Sequence, residues 1–331
     1  MTNLLTEPRG LELDEYRREL TGYCYRMLGS SFDAEDAVQE TMVRAWRSLG
    51  DFEGRSSLRS WLYRIATNVA LDMLNARKRR ALPMDLSDSS WQPVEASLGA
   101  QLPERSWVEP ILDNRVLADH ADPAEMAVAR ESIRLAFVAA LQQLPPRQRA
   151  VLILRDVLRW KADEVAALLD ASVASVNSAL QRARATLAKD GLPADDSPDG
   201  LDDESAALLT RYVEAFEGYD IDAFVSLLHE DATQNMPPYQ MWLQGSADIG
   251  RWMLGPGSGC RGSRLVPIEA NGAPAFAHYR RDASGTGHAP FALQVLELSN
   301  GRVAGISSFL DTRLFRLLGL PTHLEGVAPE R

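Results

Sequence analysis

Residues 58–80, LRSWLYRIATNVALDMLNARKRR, run an apolar helical pattern into four consecutive cations, Arg77, Lys78, Arg79 and Arg80. A cluster of this density suits neutralisation of phosphate, each contact releasing counterion. Just upstream, Gly54, Ser56 and Ser57 make a polar loop bordered by Arg55 and Arg59, and Trp61, Tyr63 and Arg64 follow. Rings among cations suit melted DNA, whose exposed bases stack on aromatics while the cations hold the backbone. Core packing is the other use of Trp61 and Tyr63, and for Trp61 burial weighs at least as much as base contact. A second set comprises Ser175, Asn177, Ser178, Gln181, Arg182 and Arg184. Short polar side chains followed by cations suit a helix whose first turns enter a major groove and whose flank meets phosphate.

The second set needs a particular scaffold. ADEVAALL carries apolar residues at helical spacing and stops at Asp170, a residue type that tolerates a left-handed turn. Ser172 then serves as the N-cap of a new helix with a buried stripe of Val173, Val176, Leu180, Ala183 and Leu187. Ala166, Asp170 and Val176 fall where a helix-turn-helix wants a small packing residue, a turn residue and an apolar anchor. For the first set, the upstream stretch SSFDAEDAVQETMVRAWRSLGDF forms a helix capped by Asp33, with Asp36 favouring its positive end. Ala34, Ala37, Val38 and Ala45 take its buried side. Asp36, Glu40, Arg44 and Arg47 make a charged ridge that by spacing alone reads as a solvated face, with Glu40 and Arg44 a favourable i, i+4 pair.

Charge is distributed unevenly along the 331 residues, whose formal net charge is −11. Residues 55–80 carry seven bases against one acid, and residues 130–189 ten against five. Between them, residues 81–129 hold nine acids and two bases in a stretch rich in Pro, Ser and Gly, which predicts a largely irregular connector. Residues 190–204 hold seven acids and no base, a second linker. Two basic helical modules joined by acidic tethers carry the electrostatic footprint of a polyanion partner despite the acidic total. Cys24 and Cys260, the only cysteines, are too few for a disulfide framework or a zinc cluster and point to a reducing compartment, though one disulfide between them stays open. With no signal-peptide pattern and no apolar run near the length of a membrane span, a soluble, cytoplasmic protein is expected.

Beyond residue 204 the pattern changes to amphipathic helices, a short strand around Ala232–Met236, another helix, and then four strand-like runs broken by Gly, Asn and Pro. Helices followed by an antiparallel sheet make an α+β cone able to enclose a cavity. Tyr212, Phe216, Met236, Tyr239, Trp242, Trp252, Phe276 and Tyr279 would line a ligand pocket there or simply pack the core. His229, Asp231, His278, His288 and Asp311 are the acid–base candidates, with helix capping and surface positions as the alternative.

Across about residues 10–188 the chain resembles the extracytoplasmic-function (ECF) sigma factors of the sigma-70 family. DAEDAVQETMVRAW resembles their core-binding helix and FEGRSSLRSWLYRIATNVALD their −10 recognition region. LPPRQRAVLILRDVL with SVNSALQRARATL resembles their −35-reading domain. The resemblance implies that Asp33, Asp36, Gln39, Glu40 and Arg44 dock on the polymerase β′ clamp, the β subunit being a further partner. It implies that Arg55 through Asn68 capture and melt the −10 element of promoter DNA, with Arg77, Lys78, Arg79 and Arg80 on nearby phosphate. It also implies that the outer face of residues 172–184, from Ser172 onward, reads the −35 element. Residues 205–327 resemble SnoaL-like domains of the NTF2-like fold, some of which are fused to ECF sigma factors. That second resemblance implies regulation through intramolecular contact with the sigma modules, and the acidic linker 190–204 would compete with DNA for their basic faces.

The expected architecture is therefore multidomain: two all-α sigma domains, the second a helix-turn-helix, followed by an α+β NTF2-like cone. The boundaries are 10–82, an acidic linker 83–129, 130–189, a second linker 190–204, and 205–327. The function implied is promoter-specific initiation, with no catalysis, cofactor or metal. A one-component, ligand-responsive transcriptional regulator is the rival reading, although it leaves residues 10–80 unexplained.

Overall fold

A computed structural model describes residues 13–54, 56–75, 79–87, 89–117, 122–188 and 202–325. Arg55, Arg77, Lys78 and most of the 190–204 tether lie outside the described residues. The chain divides into two units, Met1–Arg80 with Asp113–Pro193, and Ala81–Leu112 with Ala194–Arg331.

The first unit is helical. α1 (Arg17–Leu28) buries Leu20, Tyr23, Cys24 and Met27 and ends at Gly29, whose φ of 68° puts it in the left-handed region that lets its N–H reach Tyr25 O. α2 (Ser31–Ser48) is capped by Ser30, not Asp33: Ser30 is extended, and its hydroxyl accepts from Asp33 N at 3.1 Å. The helix thus starts earlier than its sequence predicts, because serine at the extended position satisfies the orphan N–H. α3 (Leu58–Asn75) completes the first module, with Tyr23 Oη sharing a 2.8 Å hydrogen bond with Thr67 Oγ1 in the core.

The second module comprises α4 (Pro123–Glu131), α5 (Leu135–Gln143), α6 (Pro146–Leu152) running into a π-helical turn at Ile153–Val157, α7 (Ala162–Leu168) and α8 (Val173–Leu187). Asp170 turns left-handed at φ 51°, and Ser172 caps α8 by accepting from Ser175 N at 3.1 Å. Val176, Leu180 and Ala183 are buried as their spacing predicts. Val173 departs from the predicted stripe: as the first helical residue it precedes the packed turns and is 43% exposed, and Leu187 at the other end is half-buried.

Two buried arginines tie the modules together. Arg149 donates to Gln142 Oε1 at 2.6 Å, to the carbonyls of Gln142 and Leu144 at 3.1 Å each, and to Met27 O of α1. Arg26 donates to Ser132 Oγ at 2.7 Å, and Gln142 Nε2 returns a bond to Arg26 O at 3.3 Å. Burial pushes both guanidiniums down to about 10, so both stay charged at neutral pH and need these acceptors.

The second unit is built on a seven-stranded sheet of order β2-β1-β6-β5-β4-β3, with β7 paired to β5. α9 (Asp203–Gly218) and α10 (Ile221–Ser226) precede β1 (Leu228–Asn235) and β2 (Trp242–Gln244). α11 (Ser246–Leu254) leads into β3 (Arg264–Ala270), β4 (Ala273–Arg281), β5 (Gly287–Ser299) and β6 (Arg302–Phe309), and α12 (Arg313–Leu317) and β7 (Leu324–Glu325) close the fold. Asn271-Gly272 and Asn300-Gly301 supply the consecutive positive φ angles, 56° and 67° and then 51° and 66°, that join β3 to β4 and β5 to β6 in tight hairpins.

Residues 81–112, which their composition predicts to be an irregular connector, are instead pinned to this unit. Trp91 N donates to Trp242 O at 2.9 Å, Leu102 N to Pro238 O at 3.0 Å and Asn271 N to Ile111 O at 3.0 Å. Asn271 Oδ1 also accepts from Ile111 N at 3.0 Å, and Gln101 Nε2 donates to Tyr239 Oη at 2.9 Å. The segment has short 3-10 turns but borrows the sheet domain for its backbone partners, an arrangement that local periodicity does not encode.

Candidate nucleic-acid and polymerase interface

The loop ahead of α3 turns at Gly54, φ 69°, and leaves Ser56 and Ser57 exposed. Ser57 Oγ accepts from Ser60 N at 3.1 Å and so caps α3. Arg64 and Asn68 are exposed on the helix, Tyr63 is fully buried, and Trp61 is half-buried against Phe52 with ring centroids 5.0 Å apart. Trp61 is therefore held at the surface by one ring and is not swallowed by the core.

Arg59 and Arg64 of this face are engaged with the second module. Arg64 Nη2 donates to Ala167 O of α7 at 2.9 Å. The Tyr63 and Trp160 rings meet at 4.9 Å, and the Arg59 guanidinium stands 5.3 Å over each ring while pairing with Glu19 at 2.9 Å. The basic cluster at the end of α3 splits. Arg79 is exposed, whereas Arg80 is buried in a 2.6 Å ion pair with Asp33, the two side chains only 7% and 10% exposed. Two residues predicted for different partners, phosphate and polymerase, are thus corrected to one internal tie, because each carries the charge that makes burying the other tolerable.

The rest of the carboxylate ridge stays at the surface. Asp36, Gln39, Glu40 and Arg44 line an open groove of about 430 Å³ between α2 and α3, closed from beneath by Val69 and Met73. Glu40 and Arg44 pair at 2.7 Å, and Asp72 of α3 lies 3.9 Å from Arg44. Val43 and Trp46 stand beside the ridge at 42% and 57% exposure. The charge-based prediction missed these two. They were readable as the apolar residues of α2 that fall off the Ala34, Ala37, Val38 and Ala45 stripe.

On α8, Ser172, Ser175, Asn177, Ser178, Gln181, Arg182 and Arg184 are all exposed. Arg184 is held by a bidentate pair with Asp156 at 2.8 and 2.6 Å, and Arg182 donates to Ser178 Oγ at 2.7 Å.

In the sheet unit the eight predicted pocket residues do not face one space. Tyr212 stacks on Phe216 and Phe276 at centroid distances of 6.0 and 5.7 Å, within a cluster that includes Met236, Trp252 and, half-buried, Tyr239. Tyr279 follows Phe276 by three residues on β4 and so faces the other side of the sheet, against Phe315 at 5.2 Å. Trp242 is buried at β2 and lies outside that cluster. His278 is enclosed between the edges of Phe216 and Phe291, with Ser263 Oγ at 2.9 Å and Gln294 Nε2 at 3.4 Å. Burial, aided by the Arg280 charge, pushes its imidazole from 6.5 down to about 3, so it is neutral. His229 accepts from Asp231 N, His288 bonds Gly262 O, and Asp311 caps Arg313 and pairs with it at 2.7 Å. Among the described residues no two of these five side chains bond each other, and no group of three His, Cys, Asp or Glu is placed to hold a metal. Cys24 and Cys260 are free and buried, and no described helix is long and apolar enough to cross a membrane.

Three family models match the chain: sigma-70 region 2 over residues 13–80, sigma-70 region 4 over 134–187, and the SnoaL-like domain over 209–306. The ECF RNA polymerase sigma factor SigG of Mycobacterium tuberculosis is 49% identical over 326 residues, covering 94% of this chain and 83% of the relative. SigJ of the same organism is 29% identical over 250 residues, covering 74% of this chain and 72% of its own. The crystal structure of SigJ shares the fold at a TM-score of 0.60 and 24% identity, over 94% of this chain and 99% of that one. Two helical modules that match both DNA-reading regions, followed by a sheet domain, in the order found in a relative half identical along nearly the whole chain, place this protein among the ECF RNA polymerase sigma factors.

Proposed function

We propose that the chain directs promoter-specific initiation through three surfaces and that its C-terminal unit controls how far the two sigma modules separate. The α2–α3 groove, with Asp36, Gln39, Glu40, Arg44 and the exposed Trp46, seats the factor on the β′ subunit of core polymerase in the cytoplasm. The β subunit is the further partner. Ser56, Ser57, Arg59, Trp61, Arg64 and Asn68, with Arg79 and the neighbouring Arg55, Arg77 and Lys78, capture the melted −10 element. The exposed face of α8 reads the −35 element. Asp33 and Arg80 belong to the scaffold.

The observation that carries this reading is the engagement of Arg59 and Arg64 by Trp160 and Ala167. Two of the side chains that would meet −10 DNA are engaged by the −35 module, so the free factor is closed and must open on polymerase. Regulation follows from chain connectivity. Residues 81–112 are the only covalent route between the modules, and their hydrogen bonds to the sheet unit shorten the free tether while they persist. Any ligand or partner that alters that unit would therefore act on opening. His278, enclosed and neutral, suits a structural role, and no reaction is assigned to the domain.

Run-off transcription with purified core polymerase tests the assignment. A start-site-specific transcript is expected only when chain and core are combined, with tight promoter binding dependent on core. DNA binding that is equally tight without core, or no specific transcript from a randomised promoter library, would overturn it.

A further inference from the structure

The DNA-facing side of α8 carries an apolar residue at its tip. Val173, 43% exposed, starts a row continued one turn later by Asn177 and another turn later by Gln181, both exposed. Among the described residues the Asn177 and Gln181 amides have no hydrogen-bond partner. Ser175 Oγ is likewise bare, whereas other groups of the face make contacts within the protein. Ser172 Oγ caps the helix at Ser175 N, Ser178 Oγ accepts from Arg182 Nη1, and Arg184 pairs with Asp156 through Nε and Nη2.

Base chemistry sorts these side chains. Guanine is read by a guanidinium or ammonium on O6 and N7, adenine by an Asn or Gln amide on N6 and N7, and thymine by apolar contact with its C5-methyl group. Val173 is of the thymine-reading type, and Asn177 and Gln181, whose amides stand unpartnered, are of the adenine-reading type. We infer that Val173 is a specificity-determining residue that packs on the C5-methyl of a thymine in the −35 element, with Asn177 taking an adenine beside it. This rests on the reading above that α8 enters the major groove. Four residues of helix advance about 6 Å, so the two bases lie one or two base pairs apart.

Removal of a single methyl group tests it. Holoenzyme assembled from the full chain and core polymerase selects promoters from a library randomised at −35, and each thymine of the selected element is then replaced by deoxyuridine, which keeps every base-pair hydrogen bond. At one thymine the wild-type holoenzyme is expected to lose affinity about 3- to 4-fold, and the Val173→Ala holoenzyme is expected to lose none. At an adenine one or two base pairs away, 7-deazaadenine should weaken wild type but not Asn177→Ala. Both positions are exposed, so equal thermal midpoints of the free variants serve as the folding control. The inference is overturned if no thymine is selected, if every thymine tolerates deoxyuridine, or if Val173→Ala loses as much as wild type. Should scrambling the whole −35 element leave binding unchanged, the placement of α8 in the groove fails first and the inference falls with it.

Discussion

At the scale of single residues, the charged and titratable groups sort by burial more than by type. Asp33 and Arg80 share the chemistry of Asp36 and Arg79, yet the first two are enclosed together and the second two meet solvent. A buried pair of this kind is strongly destabilising to break singly, which assigns both residues to the scaffold whatever their neighbours do. His278 shows the same principle in a neutral form. Its folded imidazole titrates near 3 against 6.5 for the free group. Above pH 6.5 neither folded nor unfolded chain binds the proton, so the group leaves stability unchanged. As pH falls from 6.5 toward 3 only the unfolded chain takes it up, and stability is lost by up to about 1.4 kcal/mol per pH unit. The urea midpoint should therefore fall between pH 7 and 4.5 more steeply in wild type than in His278→Gln. Parallel slopes would show that the enclosed imidazole does not govern this range.

Helices and strands decide which of these groups can act together. On α2 the Ala34, Ala37, Val38 and Ala45 stripe turns inward, which carries Asp36, Glu40 and Val43 outward onto a groove shared with α3 and leaves Trp46 exposed on the same helix. The Glu40–Arg44 pair is about half exposed on both sides, so it contributes little to stability and is free to exchange for a polymerase partner. Trp46 is the residue with most to gain from being covered, since aromatic anchors at the centre of an interface carry much of its energy. Trp46→Ala should leave the thermal midpoint of the free chain nearly unchanged while weakening binding to core polymerase by about 2 kcal/mol, some 30-fold, in a fluorescence titration. An affinity within twofold of wild type would remove this face from the docking surface.

Over the whole molecule, connectivity and packing pull in different directions. The two sigma modules are separated in sequence by a segment that belongs to the sheet unit, yet they meet through Arg26, Arg149, Tyr63 and Trp160. In the proposed reading the free factor is therefore closed, with Arg59 and Arg64 engaged by the second module. Dyes placed at the exposed positions Arg47 on α2 and Ala185 on α8 should report efficient energy transfer in the free chain and a clear drop once core polymerase is added. Transfer that does not change on binding would mean that the modules act without opening.

Much of this protein was legible from residue order alone. The helix-turn-helix with Asp170 at its turn and Ser172 at its cap, the polar face of α8, the breaks at Gly and Asn between strand runs and the succession of helices then strands all depend on contacts a few residues apart, which spacing and turn chemistry encode. Only the tertiary structure paired Asp33 with Arg80, drew residues 81–112 onto the sheet unit, turned Arg59 and Arg64 toward the second module and split the eight predicted pocket residues between separate packing environments. Each of those outcomes joins residues tens to hundreds of positions apart. Such pairings are chosen by which buried charge or unsatisfied backbone group finds a partner once the chain has collapsed, and a local pattern of residues does not carry that information.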